Sequence, residues 1–384
     1  MMPAALEGIR VLELSGLYGA YAGKLFADLG AAVTLVEPPE GSPMRAKPPF
    51  AGDRPGPDSS MPFAYFAANK GSVVVNLRSA AGLAGFEELA ANAHLVLLSD
   101  HPDAAAVNLE KLRAANPALV CVRITPYGVD GPYAGYVGDD LTLMAMGGLL
   151  TMAGFPGEAP VVAYGEQGLL AADQFAAVGA LAAVMRAERT GVGELIDVSI
   201  QESIVMALEN AAQTYQLEGR VRNRSAAPAR VGSGIFPCKD GEIYLLAGGV
   251  GETAMWGNFS DWLLSEKVAG AEIFGSPEWD DTKPEARTIF ERLFLPYAVG
   301  KTKEELYAKG KEWRVPVAPM STPSDLLRNA QLTYRGFFVP LPGEGPTASV
   351  RVPGAPYKFS ATPWELKCPA PSFAGSVHGK ETAA

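Results

Sequence analysis

The chain has 384 residues, 48% of them hydrophobic and 19% charged, with 42 Gly and 31 Pro. That length exceeds one ordinary hydrophobic core, and the mixture excludes a disordered chain while predicting many turns. Its 32 Lys and Arg against 42 Asp and Glu leave a formal charge of −10, and no basic run occurs, so a nucleic-acid surface, which needs clustered cations against phosphate, is not expected.

In chain order, GIRVLEL at 8–14 predicts a strand, GAYAGKLFADLG at 19–30 an amphipathic helix and AVTLVE at 32–37 a second strand, which together make a βαβ unit. The alternation recurs through SVVVNL (72–77), a helix at 80–92, HLVLLS (94–99), a helix at 104–115 and ALVCVRI (118–124). Apolar strands alternating with helices predict a parallel sheet covered on both faces. After the turn-rich TPYGVDGPYAG (125–135) come a helix near 140–152, the Ala-rich helix of GEQGLLAADQFAAVGALAAVMRAERTG (165–191), the strand ELIDVS and a further helix near 200–217.

The aperiodic EGRVRNRSAAPAR (218–230) marks a boundary. Beyond it, SGIFPCKDGEIYLLAG reads as two strands about Lys239-Asp240-Gly241, the hairpin of a smaller α+β module, followed by helices at 252–266, 284–298 and 302–311. From about 330 the chain turns Pro- and Gly-rich, which suits an extended return segment. The expected division is 1–220, 221–328 and 329–384, the last part completing the large domain.

Cysteines 121, 238 and 368 are odd in number and far apart, and they read as reduced thiols. Histidines 94, 101 and 378 have no metal-ligand spacing, so no metal site is expected, and any chemistry is expected to proceed without histidine. The N-terminal MMPAALEGIRVLEL has no basic, apolar and small-residue succession, and the nearly uncharged run 141–155 is shorter than the roughly 18 to 20 apolar residues of a membrane span. A soluble cytoplasmic protein, not membrane-bound, is the expectation.

Candidate ligand residues are sparse. The first βα turn, SGLYGAYAG, lacks G-x-G-x-x-G, although Glu37 ends the second strand as a dinucleotide site would require. Asn69 and Lys70 precede a strand, where the lysine either meets a ligand phosphate or is a solvated loop residue. Tyr127 and Gly128 belong to a loop whose backbone N–H groups either approach a carboxylate or make a plain turn. Asp139 and Asp140 open a helix, where capping is the default role. Asn69, Lys70, Tyr127, Gly128 and Asp140 are the candidate ligand-binding set.

Taken together, LEGIRVLELS, LFADLGAAVTLVE, NKGSVVVNLRS, NPALVCVRITPYGVDGPYAG, RAERTGVGELIDVSIQES, IFPCKDGEIYLL and GAPYKFSATP resemble, in order and spacing, the class III CoA-transferase family, to which the formyl-CoA and L-carnitine CoA-transferases belong. The resemblance implies an α/β fold with a Rossmann-like large domain and a smaller α+β domain, in ring-shaped chains that interlock as a dimer. It implies a CoA thioester as substrate, with no permanently bound cofactor. It also implies a mechanism in which an aspartate attacks the donor thioester, giving an aspartyl mixed anhydride, then an aspartyl-CoA thioester as the donor acid leaves, and then product on the acceptor acid.

That aspartate belongs near the start of the Ala-rich helix, at the position that Leu169 occupies when counted back from Gly191. Leucine cannot be a nucleophile. Asp173, one turn on, stands about 6 Å further along the axis at 1.5 Å per residue, and Glu166 lies just before the helix. Other family features are replaced as well: the basic residues of the second strand by Leu35 and Pro38, the CoA-holding segment after the fourth by Leu98-Ser99-Asp100-His101-Pro102-Asp103, and the arginine after Lys70 by Gly71.

Such losses predict a non-catalytic subunit whose homologous partner supplies the aspartate, as in the heteromeric benzylsuccinate and succinyl-CoA:malate CoA-transferases of the family. The loop AGGVGE (247–252) would then cover the partner's site. The alternatives are a self-sufficient CoA-transferase or acyl-CoA racemase using Glu166 or Asp173, and a non-enzymatic binding protein. The racemase relatives carry Gly-His where this chain has Gly138-Asp139.

Overall fold

The computed structural model describes residues 4–155, 157–224, 231–248, 253–343 and 350–373. The chain divides into a large unit, Met1–Arg224 with Tyr334–Ala384, and a small unit, Ser225–Thr333.

In the large unit the strands are β1 (Arg10–Leu14), β2 (Ala32–Glu37), β3 (Gly71–Val74), β4 (Leu95–Leu98), β5 (Val120–Thr125) and β6 (Leu195–Ser199). They form one sheet in the order β3-β2-β1-β4-β5-β6 with every neighbouring pair parallel. The helices are α1 (Ala20–Asp28), α2 (Met61–Phe66), α3 (Ala80–Ala91), α4 (Leu109–Ala115), α5 (Asp140–Met146), α6 (Leu149–Met152), α7 (Gln167–Thr190), α8 (Ile200–Val205) and α9 (Ala211–Glu218).

Strand pleating sends alternate side chains to opposite faces, and the two cores follow it. Leu95 and Leu97 of β4 join a core with α1 and α7, whereas Val96 and Leu98 join one with Phe86 of α3 and Leu112 of α4. α7 is long and apolar enough by composition to cross a membrane. It instead buries Leu169, Ala172, Ala176, Ala180, Ala183 and Ala187, a stripe at three- and four-residue spacing, against the sheet. The alanines let its axis come close: a Cβ added at Gly179 would sit 3.7 Å from Ile196 of β6.

The structure departs from the sequence reading at three helices. The helix expected near 140–152 is broken between α5 and α6, because Gly147 presses on Ile204 (a Cβ there would lie 2.6 Å from its Cγ2) and Gly148 is left-handed, φ 82°. The helix expected at 200–217 is interrupted at Glu209, φ 51°. The helix expected at 104–115 begins only at Leu109, where the Asn108 side chain accepts the Lys111 N–H at 2.9 Å and sets a new N-cap.

The small unit holds an antiparallel sheet in the order β7-β8-β9, from β7 (Ser233–Cys238), β8 (Gly241–Leu246) and β9 (Val317–Pro319), with α10 (Thr253–Ser265), α11 (Ala286–Ala298) and α12 (Lys303–Trp313). Its core is aromatic, with Phe259, Trp262, Phe290 and Phe294 fully buried. Two short helices, α13 (Pro323–Arg328) and α14 (Ala330–Tyr334), precede a return segment with the antiparallel pair β10 (Phe338–Pro340) and β11 (Arg351–Pro353). Of the loop AGGVGE, residues 249–252 lie outside the described residues.

Candidate functional site

In a parallel sheet of this order, ligands are expected where the strand order reverses, beyond the carboxyl ends of β1 and β4. The loop from Ser15 to Gly19 leaves β1 there and enters α1. Its backbone N–H groups are taken by two internal carboxylates. Asp100, just past β4, accepts Gly16 at 2.9 Å, Leu17 at 2.8 Å and Tyr18 at 3.4 Å. Asp173 of α7 accepts Gly19 at 2.8 Å and Tyr21 at 3.0 Å, capping a helix whose own N-cap, a left-handed glycine, has no side chain to offer. Gly16 has to be glycine, since a Cβ would stand 2.7 Å from the Asp100 carboxyl.

Asp173 is only 2% exposed. Burial pushes its carboxyl up to about 7, against the opposing pull of the Gly19 and Tyr21 N–H groups. It is a sealed cap, with no open face toward a thioester.

At the head of α7, Leu169 is 7% exposed and packs among Leu17, Tyr18, Tyr21, Met44, Phe66, Leu170 and Asp173 around a gap of about 10 Å³, room for one water at most. Its N–H donates to Oδ1 of Asp140 at 3.0 Å. Asp140 thus links the first turn of α5 to the first turn of α7, and burial raises its carboxyl above the usual range despite the N–H groups of Leu169 and Gly168. Gly168 allows this approach: a Cβ there would lie 2.7 Å from Ile204 and 3.0 Å from Asp140. Asp139 makes a capping box with Thr142. Glu166 precedes the helix in a left-handed conformation, φ 57°, and is ion-paired with Lys47.

The remaining candidates are not gathered around one cavity. Lys70 is buried, and its ammonium pairs with Oε2 of Glu13 at 2.6 Å and donates to the Ala20 carbonyl at 2.8 Å. It is neither a solvated loop lysine nor open to a phosphate, because that pocket of charge is already balanced. Asn69, left-handed at φ 64°, donates to Asp28 and the Glu365 carbonyl and accepts the Lys367 and Cys368 N–H groups, so it ties the return segment to α1. Tyr127 donates to Sδ of Met146 at 3.0 Å and leads an aromatic group with Tyr133 and Tyr136. Gly128, φ 98°, turns the chain at the end of β5, its N–H donating to Thr125 at 2.8 Å and its neighbour Val129 donating to Asp197.

Glu37 stands where a dinucleotide site would place its ribose acceptor, but Arg45 grips both its oxygens at 2.7 and 2.8 Å and lies over the Phe63 ring. Burial pushes this carboxyl up, and the Arg45, Ser72 and Ser42 hydrogen bonds overcome it, leaving it below the usual range. Sequence reading missed Asp100 and Arg45 as organisers of this region. An acidic residue directly after a strand was the available signal for Asp100, but nothing local says which amides it takes. Among the described residues, no group of three or more His, Cys, Asp or Glu could hold a metal ion.

An all-parallel sheet in this order, helical on both faces, with a long central helix aimed at the first βα turn, defines a Rossmann-like large unit. The chain belongs to CoA-transferase family III, whose model matches residues 6–376. Among curated relatives it is similar to the succinyl-CoA:(R)-benzylsuccinate CoA-transferase subunit BbsE of Thauera aromatica, 38% identical over 94% of this chain and 90% of that one. It is also 31% identical to the succinyl-CoA–L-malate CoA-transferase alpha subunit of Chloroflexus aurantiacus, over 93% of this chain and 83% of the relative. A crystal structure of a CAIB/BAIF family protein from Brucella suis shares the fold, with a TM-score of 0.84 and 24% identity over 97% of both chains.

Proposed function

We propose that this chain is the non-catalytic subunit of a heteromeric class III CoA-transferase, moving CoA from a thioester donor such as succinyl-CoA to a carboxylic acid of the benzylsuccinate kind in the cytoplasm. A homologous partner chain supplies the aspartate nucleophile. The observation that carries the reading is the buried hydrocarbon of Leu169 at the family's nucleophile position. The carboxylates around it are already engaged, Asp140 with the Leu169 N–H, Asp173 with the cap of α1 and Glu166 with Lys47. A buried carboxyl whose two oxygens each accept a backbone N–H has no path to a thioester, and a shift of about 1 Å in a reacting group can already cost a hundredfold.

Two further observations support it. Similar proteins are named as subunits, BbsE and an alpha subunit. The large unit also exposes big apolar side chains between residues 133 and 221, among them Val137 (96%), Tyr164 (97%), Leu217 (85%) and Met206 (68%), which a partner chain would cover.

The test is co-expression with a homologue that keeps aspartate at the position of Leu169. The complex transfers CoA from succinyl-CoA to benzylsuccinate, and changing the partner's aspartate to alanine lowers the rate by three or more powers of ten. This chain alone transfers nothing, and Glu166→Gln in the complex changes the rate by less than tenfold. Thioester exchange or covalent acylation by the isolated chain, lost on changing Glu166 or Asp173, establishes the self-sufficient transferase or racemase instead. A chain inactive with every such homologue is the non-enzymatic binder.

A further inference from the structure

We propose that Asp100 is a built-in anion: its carboxylate fills the backbone cradle at the head of the first βα turn and so keeps phosphate- and carboxylate-bearing ligands out of that crevice of the large unit. The inference rests on the reading of this chain as one without a CoA site of its own, and it names the atoms responsible.

The geometry is that of a bound anion. Three successive N–H groups, of Gly16, Leu17 and Tyr18, converge on one carboxylate, with Leu17 reaching both oxygens at 3.0 and 2.8 Å. Successive amides pointing into one concavity are how proteins bind phosphate and carboxylate groups. Among the described residues no lysine or arginine is ion-paired with Asp100, so the loop's amide dipoles carry its charge, as they would carry a ligand's.

The plug is also clasped. The neighbouring Ser99 hydroxyl donates to the Tyr18 carbonyl at 2.6 Å and to Oδ1 of Asp100 at 3.1 Å. Gly16 and Gly19 admit the two side chains, since Cβ atoms there would lie 2.7 Å from the Asp100 carboxyl and 2.9 Å from Oγ of Ser99. The next free amides, Gly19 and Tyr21, are occupied by Asp173. An arriving phosphate therefore meets the Asp100 carboxylate, and the N–H groups of residues 16–19 and 21 are already taken. Of the cations nearby, Lys70 is held by Glu13, whereas Arg123 of β5, close enough for its charge to act on the Tyr18 hydroxyl, is in no ion pair among the described residues and makes none with Asp100.

Inorganic pyrophosphate is the probe, titrated against the full-length chain while the amide resonances of residues 16–18 are followed. In the wild type they stay unmoved through 10 mM. Asp100→Ala opens the cradle and binds pyrophosphate saturably, at least tenfold tighter than wild type, with residues 16–18 shifting. Asp100→Asn keeps an oxygen on the amides and binds less tightly than the alanine variant. A folded alanine variant with less than a twofold gain overturns the proposal, and so do wild-type shifts at residues 16–18 on adding pyrophosphate. Should the alanine variant not fold, the wild-type titration decides between the same two outcomes. CoA that binds the wild type with these amides unmoved leaves the plug intact and overturns only the reading of a chain without CoA.

Discussion

The carboxyl of Asp173 is tuned by two opposed forces, and burial prevails over its two N–H donors. An unfolded aspartate releases its proton at about pH 3.9, the folded one at about 7. Between those values the native state holds a proton that the unfolded chain has lost, so this group's contribution to stability is full below about pH 4 and declines as pH rises toward 7. Asp173→Asn abolishes the titration. In urea unfolding at a series of pH values, the wild type's advantage over the variant therefore shrinks as pH rises across that window, by at most about 1.4 kcal/mol per pH unit. A difference that stays constant with pH refutes the raised value. Asn69 makes its own case at this scale: it satisfies four partners from two distant parts of the chain. Asn69→Ala should cost about 1–3 kcal/mol, since it removes four hydrogen bonds at a partly exposed site and sets alanine in a left-handed conformation. Hydrogen exchange at residues 365–368 should accelerate, and unchanged exchange there would show that the return segment is held by other contacts.

At the scale of elements, the connection from α7 to β6 separates two uses of glycine. Gly191 ends the helix at φ 70° with open space where a Cβ would go, so Gly191→Ala costs only the left-handed strain, about 1 kcal/mol. Gly193, two residues on, has ordinary backbone, but its Cβ would overlap the Leu119 carbonyl beside β5. Gly193→Ala must displace the β5–β6 edge and costs more than Gly191→Ala by several-fold. Thermal unfolding of the two variants checks the order, and equal losses would mean that the β5–β6 edge gives way easily. Both glycines sit in the run ERTGVGELIDVS, yet only the first was legible, because a helix C-cap is a local rule and a clash with a neighbouring strand is not. The break at Gly147–Gly148 escaped for the same reason: the periodicity on either side continues, and the contact with Ile204 of α8 interrupts it.

For the whole molecule, the exposed apolar residues between 133 and 221 lead to a further expectation that rests on the proposed heteromer. Val137→Lys with Tyr164→Lys should leave the unfolding midpoint of the chain within about 2 °C, as for exposed sites, while reducing co-purification of the homologous partner by tenfold or more. Retention of the full yield of complex would remove this face from the interface. The alternation of strands and helices, the long Ala-rich helix, the hairpin at Lys239-Asp240 and the family itself were all readable without coordinates, since each is written in periodicities and turn residues a few positions long. The position of Leu169 at the head of that helix, on which the proposed non-catalytic role rests, was readable too, because it needs only counting along one helix. What each charged side chain is for was decided by tertiary structure. Asp100 meets its amide 84 residues back, Asp173 meets Gly19 at a separation of 154, Lys70 finds Glu13 at 57 and Asn69 holds Lys367 at 298. A buried charge takes whichever partner the fold brings within hydrogen-bonding distance. That choice is made by the superposition of strands and helices in space, to which the order of residues along the chain gives no local clue.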